Sequence, residues 1–276
     1  MNRRFYAVLA VFATLAACNP QLHFTQDQDG VWTVPERQMD RWAAAIIKAD
    51  DTGAKALLDQ GYGMADSLTA GDPDARTLES FAAAVAGRFM DLESPYYSDH
   101  ACEMALDREA LCVNWTSWGR RRTDWKRSIL NLNRPGTRVS DFWLSKGTGQ
   151  PDTLLRKLLP GAPLTVLFIY GEGCSSCERM IEDIGKSRVF PKLQEEGRTR
   201  FVSIYTGEDG EEFKALGARL PAFFDNWRDR ENVVLYSRAF DTRMIPSLYV
   251  IDKDEIVLLR GGKQIPDIES FLLLRE

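Results

Sequence analysis

Apolar residues between positions 35 and 132 recur with the period of an α-helix. Pro35 can begin a helix, and Met39, Trp42, Ile46 and Ile47 share one face after it. Asp72-Pro73 is a cap followed by a proline in the first turn. The strongest amphipathic pattern follows it, at Leu78, Phe81, Ala82, Val85, Phe89 and Leu92. We therefore predict a mostly α-helical domain over residues 34–132.

The pattern changes after the turn residues 133–137. Residues 164–170 form a continuous apolar run, typical of a strand that is buried on both faces. A helix face follows, and further strands are predicted over residues 200–206, 246–252 and 255–260, before a closing helix. This order predicts an α/β domain over residues 133–276, with a mixed sheet flanked by helices.

The end of the helical segment combines tryptophans with basic residues. We interpret Trp115, Trp118 and Trp125 as core and packing surface. The basic cluster comprises Arg120, Arg121, Arg122, Lys126 and Arg127. It is interpreted as a solvated helix face, with a docking patch for an acidic partner or lipid headgroups as the alternative.

Composition excludes several classes of protein. The 276 residues are 44% hydrophobic and 27% charged, which is typical of a globular protein and not of a disordered or polytopic membrane chain. A net charge of −5 argues against non-specific nucleic-acid binding. His23 and His100 are the two histidines, and neither has a setting for a catalytic triad or a histidine-rich metal site. The five cysteines are therefore the main candidates for reactive side chains.

The first residues have the features of a secretory signal. Arg3 and Arg4 precede an apolar run from Phe5 to Ala17, which is too short to span a bilayer about 30 Å thick. Leu15-Ala16-Ala17-Cys18 resembles a bacterial lipoprotein lipobox. That resemblance implies a signal peptide over residues 1–17, cleavage before Cys18 and lipid on its sulfur. An uncleaved anchor helix and a plain signal with a chance cysteine are the alternatives.

The same resemblance predicts where the protein works. A lipid on Cys18 would hold the domains in the cell envelope, facing the periplasm or the cell surface. Asn19 in place of aspartate favours the outer membrane. Residues 18–33 are polar without a helical period, and they are predicted to be a tether.

Residues 171–177 carry the most informative motif, with Cys174 and Cys177 between a predicted buried strand and the next helix. One turn can bring the sulfurs within bonding distance, and the helix start stabilises a thiolate, the competent nucleophile. Cys174 should be exposed and Cys177 more buried. A redox pair is the favoured interpretation. An inert structural disulfide is the alternative; a metal site would need about two more ligands, so no metal is predicted.

A second part of the motif lies about 70 residues further on, where Ile245-Pro246 precedes a predicted strand. Here the chain resembles the thioredoxin superfamily. The resemblance implies a cis proline that faces the cysteines and an Ile245 backbone that pairs with a substrate backbone. The alternative is a trans proline that opens a strand.

Gly136, Asp141 and Phe142 narrow this resemblance, since they are similar to the G-x-x-x-x-D-F motif of TlpA- and ResA-like redoxins. The chain is also similar to bacterial lipoproteins in which a helical domain of unknown function precedes a thioredoxin-like domain. On this pattern Cys174 is the attacking residue and Cys177 the resolving residue, and no cofactor is needed.

Several positions depart from thioredoxin. Gly173 stands where thioredoxin has tryptophan, and Phe168 where it has a buried aspartate. The residues between the cysteines are Ser175-Ser176, without proline or a basic residue. Glu172 and Glu178 are candidate proton acceptors, with a surface solubility role as the alternative. Because nearby negative charge disfavours a thiolate, Cys174 is expected to be less acidic than in a strong oxidant.

Cys102 and Cys112 are the remaining cysteines of the helical domain. In one continuous helix they would lie about 15 Å apart, which is beyond disulfide reach. A helix break near Leu106-Asp107, with Asp107 capping a further helix, would let them meet. A structural disulfide is the first interpretation, and two buried thiols or a second redox relay are the alternatives.

These features predict a membrane-tethered thiol–disulfide oxidoreductase that acts as a reductase or isomerase. The expected partners are thiols and disulfides of exported proteins, a membrane electron donor, and the membrane through the lipid anchor. The alternative is a redox-inactive thioredoxin-like binding module whose helical domain captures a partner.

Overall fold

A computed structural model describes residues 20–147, 149–236, 239–241, 243, 245–261 and 264–275. The chain forms two compact units, of which the first ends at Ser128 and the second begins at Ile129. The predicted boundary at 132/133 lies a few residues later. The predicted signal peptide and the proposed lipidation site at Cys18 lie outside the described residues.

Residues 20–33 are ordered against the helical unit, where a tether was predicted. The short strands β1 (Thr25–Gln26) and β2 (Trp32–Thr33) pair antiparallel. Leu22 is buried, and the Trp32 N–H donates to the Thr77 hydroxyl at 3.0 Å. The polar composition did not exclude this hairpin, because the Asp27 carboxylate accepts the turn N–H groups of Asp29 and Val31.

The first unit is mostly helical, as predicted. Its helices are α1 (Glu36–Lys48), α2 (Asp51–Thr69), α3 (Arg76–Phe89), α4 (Asp99–Ala110) and α5 (Ser117–Leu130). Helix α3 is the predicted amphipathic helix, although it begins after Asp72-Pro73 and ends before Leu92. Within the described residues, no helix is long and apolar enough to cross a bilayer.

The core of this unit is built on rings from three helices. The Tyr62 and Phe81 rings meet edge to face with centroids 5.1 Å apart, and Trp42 lies 5.7 Å from Phe81. A β-carbon at Gly61 would lie 2.8 Å from Phe81 Cζ. The small residue therefore allows the rings to pack closely.

A buried polar cluster joins α2, α4 and α5. The Glu109 carboxylate accepts hydrogen bonds from the Tyr62 hydroxyl (3.0 Å), the Thr123 hydroxyl (2.6 Å) and the Lys126 ammonium (3.1 Å). Burial, followed by the charge of Glu109, raises the pKa of Tyr62 well above its usual value. Lys126 therefore belongs to the interior, and not to the solvated face predicted for the basic cluster.

The predicted disulfide between Cys102 and Cys112 is wrong. Helix α4 runs unbroken through Leu106 and Asp107, so Asp107 does not cap a further helix. Without a break the two cysteines cannot approach within bonding distance. Both thiols are buried and neither forms a disulfide, which is one of the stated alternatives.

The three tryptophans in and just before α5 differ in exposure. Trp115 is buried as predicted, whereas Trp118 and Trp125 are exposed. Thr123 and Lys126 occupy the buried face of α5. Trp118 and Trp125 lie on its outer side, so they are not core residues.

The second unit contains a seven-stranded sheet in the order β4-β3-β7-β6-β5-β8-β9. Strands β5, β6 and β7 are parallel, and β8 runs antiparallel to β5. The strands are β3 (Trp143–Ser145), β4 (Thr153–Leu154), β5 (Leu164–Tyr170), β6 (Thr199–Tyr205), β7 (Phe224–Asp229), β8 (Ser247–Asp252) and β9 (Val257–Gly261). The mixed sheet is confirmed.

Helices cover this sheet, and buried apolar clusters lie on both of its faces. The helices are α6 (Ser175–Lys186), α7 (Val189–Glu195), α8 (Glu211–Gly217), α9 (Val233–Tyr236) and α10 (Ile265–Leu273), with short 3₁₀ turns at Leu155–Lys157 and Leu159–Gly161. The predicted strands correspond to β5, β6, β8 and β9. Strands β3, β4 and β7 were not predicted.

Candidate redox-active site

The chain leaves β5 through a tight turn. The Tyr170 carbonyl accepts the Thr206 N–H at 2.9 Å and the Thr206 hydroxyl at 3.2 Å. A β-carbon at Gly171 would lie 2.9 Å from Thr206 Oγ1, and Gly173 has a φ of +64° in the left-handed region. The two glycines therefore allow the chain to turn from the buried strand into α6.

The two cysteines of the motif form a disulfide at the start of α6, with their Cα atoms 5.2 Å apart. Cys174 is the N-cap residue, and its sulfur accepts the Cys177 N–H at 3.1 Å. Cys174 is half-buried, whereas Cys177 is fully buried. The first sulfur is therefore the more accessible of the two, and it lies at the positive end of the helix dipole.

The Ile245–Pro246 peptide bond is cis, and it lies beside the disulfide. Antiparallel pairing of β8 with β5 sets Ser247 opposite Ile169. This register brings the Ile245 carbonyl oxygen within 3.4 Å of Cys174 Sγ. The two parts of the motif thus meet in space across about 70 residues of chain.

A buried ion pair between Arg243 and Asp241, a few residues before Ile245, was missed by sequence reasoning. Arg243 Nε donates to the Asp241 carboxylate at 2.9 Å, and both side chains are largely buried. The Tyr249 hydroxyl donates to the Asp241 carbonyl at 3.1 Å. An Asp-x-Arg spacing before Ile-Pro was the available signal, but the spacing alone does not show that the pair is buried.

Ser176 is a further residue at the site. Its hydroxyl lies 3.3 Å from Cys174 Sγ and 3.4 Å from the Ile245 carbonyl oxygen. After reduction of the disulfide, a hydroxyl at this position can donate a hydrogen bond to a Cys174 thiolate. The sequence singled out the Ser175-Ser176 pair only for lacking proline and a basic residue.

The layer of the sheet around Phe168 and Tyr170 is aromatic and neutral. The two rings stack with centroids 5.3 Å apart. The Tyr170 hydroxyl donates to Asn226 Oδ1 at 2.9 Å, and the Ser203 hydroxyl reaches the same oxygen at 2.8 Å. Burial raises the pKa of Tyr170 far above neutrality, so its phenol stays protonated at pH 7. Neither Phe168 nor Tyr170 can accept a proton from Cys177 at that pH.

The two candidate proton acceptors are both exposed, and their surroundings differ. The Glu178 carboxylate is in an ion pair with Arg219 at 3.0 Å. No ion pair of Glu172 occurs among the residues that the structure describes. The charge of Glu172 acts on a neighbouring tyrosine: burial, followed by the charges of Glu172 and Glu212, raises the pKa of Tyr205 to about 12.

Comparison with solved structures identifies the fold. A thioredoxin-like protein from Bacteroides caccae matches with a TM-score of 0.67 and 19% identity, over 93% of this chain and 98% of that chain. The C-terminal domain of an uncharacterized protein from Bacteroides fragilis is 30% identical over 51% of this chain and 99% of its own, with a TM-score of 0.47. The thioredoxin domain of a thiol-disulfide oxidoreductase from Bacteroides vulgatus is 13% identical over 50% of this chain and 97% of its own, with a TM-score of 0.42.

No protein-family profile matches the chain. No curated protein matches it either. The match to the Bacteroides caccae protein, together with the mixed sheet flanked by helices, shows that the chain has a thioredoxin-like fold.

Proposed function

We propose that the protein is a thiol–disulfide oxidoreductase that exchanges disulfides with exported proteins through Cys174 and Cys177. The observation that carries this proposal is the juxtaposition at the helix start: the Ile245 carbonyl oxygen lies 3.4 Å from the sulfur of a half-buried, disulfide-bonded Cys174. A substrate backbone that pairs beside Ile245 would present its own sulfur to Cys174.

In the reductase direction the reaction begins from the dithiol. The Cys174 thiolate attacks one sulfur of a substrate disulfide, the substrate S–S bond breaks, and one substrate thiolate leaves. Cys177 then loses its proton and attacks Cys174 Sγ, which releases the second substrate thiolate and re-forms the Cys174–Cys177 disulfide. Two electrons pass to the substrate, and the two thiolates take up protons. No cofactor takes part in this sequence.

Another protein must reduce the Cys174–Cys177 disulfide before the next turnover. In the proposed direction this is a membrane electron donor that carries a dithiol, which becomes oxidised as the pair is reduced. Glu172 is the favoured proton acceptor in this scheme, because Glu178 is already bound to Arg219. Glu172 and Glu178 flank the pair, and nearby negative charge disfavours a Cys174 thiolate. A strong oxidant depends on a stabilised reduced form, so these flanking carboxylates support the reductase or isomerase direction.

We further propose that lipid on Cys18 tethers the protein to the cell envelope, in the outer membrane and facing the periplasm. The sequence Leu15–Cys18 and the basic start at Arg3 and Arg4 support the lipid anchor, and Asn19 in place of aspartate supports the outer membrane. Metabolic labelling with a radioactive fatty acid tests it. Label should enter the wild-type chain and be absent from Cys18→Ala, and equal labelling of both chains would contradict it.

The enzyme proposal is tested by trapping. Cys177→Ser cannot resolve the mixed disulfide, so it should accumulate disulfide-linked adducts with exported proteins that Cys174→Ser/Cys177→Ser lacks. The purified wild-type protein should also accelerate reduction of insulin by dithiothreitol. Absence of adducts, together with insulin reduction at the rate of the dithiol alone, would reject the activity.

A redox-inactive binding module is the second candidate. The aromatic layer at Phe168 and a helical unit of about 100 residues favour it. The reduction potential of the pair separates the two candidates. A value below about −300 mV indicates a structural disulfide, whereas a value between about −120 and −270 mV indicates a catalytic pair.

A further inference from the structure

The outer side of α5 exposes large aromatic side chains. Trp118 is 60% exposed and Trp125 is 47% exposed. They lie two turns apart with Arg121 between them, so the three side chains share one strip of the helix. The Arg121 guanidinium lies over the Trp118 ring, 5.5 Å from its centroid. Trp118, Arg121 and Trp125 are called the α5 strip below.

The loop before α5 adds exposed aliphatic side chains. Leu111 is 71% exposed and Val113 is 76% exposed. Arg120 Nη2 donates to the Val113 carbonyl at 3.4 Å, which joins this loop to the start of the helix. Apolar and guanidinium groups therefore occur together around the beginning of α5.

The charge of the first unit is unevenly distributed. Helix α5 contains five basic residues and one acidic residue, Asp124, whereas the rest of residues 20–128 contain seven basic and seventeen acidic residues. Arg122, Lys126 and Arg127 are paired with carboxylates. Among the described residues, Arg120 and Arg121 have no carboxylate within 4.0 Å. An acidic unit thus presents, among its described residues, two arginines without a carboxylate partner on its most basic helix.

We infer that the α5 strip docks on a lipid membrane with anionic headgroups, with the charge of the neighbouring Arg120 adding to the attraction. Arginines near such a surface are attracted to it, and tryptophan is favoured at the headgroup level because its ring is apolar and its N–H is polar. The exposed tryptophans favour a bilayer over an acidic protein, since a bilayer interface accepts them without a shaped pocket. This inference is independent of disulfide exchange.

Tryptophan quenching tests the inference on the full chain. Vesicles of brominated phosphatidylcholine are compared with vesicles in which brominated phosphatidylglycerol replaces an equal part of that lipid. Residues 1–31 contain no tryptophan, so insertion of the signal segment or of a lipid anchor gives no direct signal. The fraction of the total tryptophan emission that is quenched should be higher on the anionic vesicles. This rise should be up to about two sevenths, because two of the seven tryptophans lie on the strip.

Two variant pairs locate the contact. Arg120→Gln/Arg121→Gln keeps every tryptophan and should reduce the rise about fivefold or more, whereas Arg37→Gln/Arg41→Gln, on the exposed side of α1, should leave it unchanged. Trp118→Phe/Trp125→Phe should remove the rise, and Trp143→Phe, at an exposed tryptophan of the second unit, should keep it.

Three results would overturn the inference. The first is equal quenching on neutral and anionic vesicles, and the second is an equal loss in both arginine pairs. The third is tighter binding to poly-glutamate than to anionic vesicles, sensitive to Arg120→Gln/Arg121→Gln but not to Trp118→Phe/Trp125→Phe. That outcome would assign the surface to an acidic polypeptide.

Discussion

The protein contains two pairs of cysteines in opposite structural settings. Cys174 and Cys177 lie three residues apart at the start of α6 and are joined. Cys102 lies inside α4 and Cys112 lies just past its end, and both are buried and outside any disulfide. Burial, with a further contribution from Asp66, raises the pKa of Cys112 to about 12.

The difference shows that the place of a sulfur relative to a helix decides its chemistry. At a helix start the unpaired N–H groups and the dipole favour a thiolate, as the Cys177 N–H to Cys174 Sγ contact illustrates. In the buried interior the charged form is penalised by desolvation, so the thiol stays protonated. Four measurements test this contrast.

Removing one sulfur from each pair in turn should give the largest difference in activity between two variants. Cys174→Ser should lower insulin reduction to the rate of the dithiol alone, because the remaining sulfur, Cys177, is fully buried and cannot attack a substrate disulfide. Cys112→Ser is the matched control and should keep nearly all of the activity. Loss of activity in Cys112→Ser without loss of folding would instead make the interior pair a redox relay.

Alkylation of the reduced protein should separate the pairs kinetically. A raised pKa leaves less thiolate at pH 7, and a value of about 12 for Cys112 makes its thiolate a few thousandfold rarer than that of an ordinary cysteine. Iodoacetamide followed by mass spectrometry should therefore label Cys174 long before Cys112. Labelling of Cys112 should accelerate as the pH rises toward 12, and comparable rates at pH 7 would refute the contrast.

The polar cluster beside the interior cysteines can be broken without touching the redox site. Lys126→Met leaves the buried Glu109 carboxylate without its cation, so the first unit should lose about 3–5 kcal/mol of stability. Lys186→Met removes an exposed ion pair with Asp183 and should change stability by less than about 0.5 kcal/mol. Urea unfolding followed by circular dichroism measures both, and equal effects would contradict the interior role of Lys126.

The smallest expected effect is at Ser176. Ser176→Ala removes a hydroxyl 3.3 Å from Cys174 Sγ, and the loss of one hydrogen bond to a thiolate should slow alkylation of Cys174 about tenfold or less. Ser175→Ala is the matched control, because Ser175 is exposed and precedes Ser176 in the same motif. Identical rates for both variants would show that Ser176 does not support the thiolate.

Local patterns predicted the parts of the fold that are built from local contacts. Residues 164–170 were predicted as a buried strand and are β5, because a strand covered on both faces must be apolar throughout. Strand β7 was missed because its sequence, FDNWRD, is polar. Its Asp225 is neutralised by Lys146 and Arg200, partners distant in sequence that no local pattern identifies.

Periodicity and spacing over a few residues were enough to predict the α/β class, the helical first unit and the C-x-x-C pair at a strand-to-helix turn, because each is a local feature of the chain. Packing between distant parts of the chain sets the contact of Ile245 with Cys174, keeps Cys102 and Cys112 from forming a disulfide, and leaves Trp118 and Trp125 exposed. Each of these depends on which surfaces meet across many residues of chain. That choice follows from the packing of whole elements, which a single helix or strand does not encode.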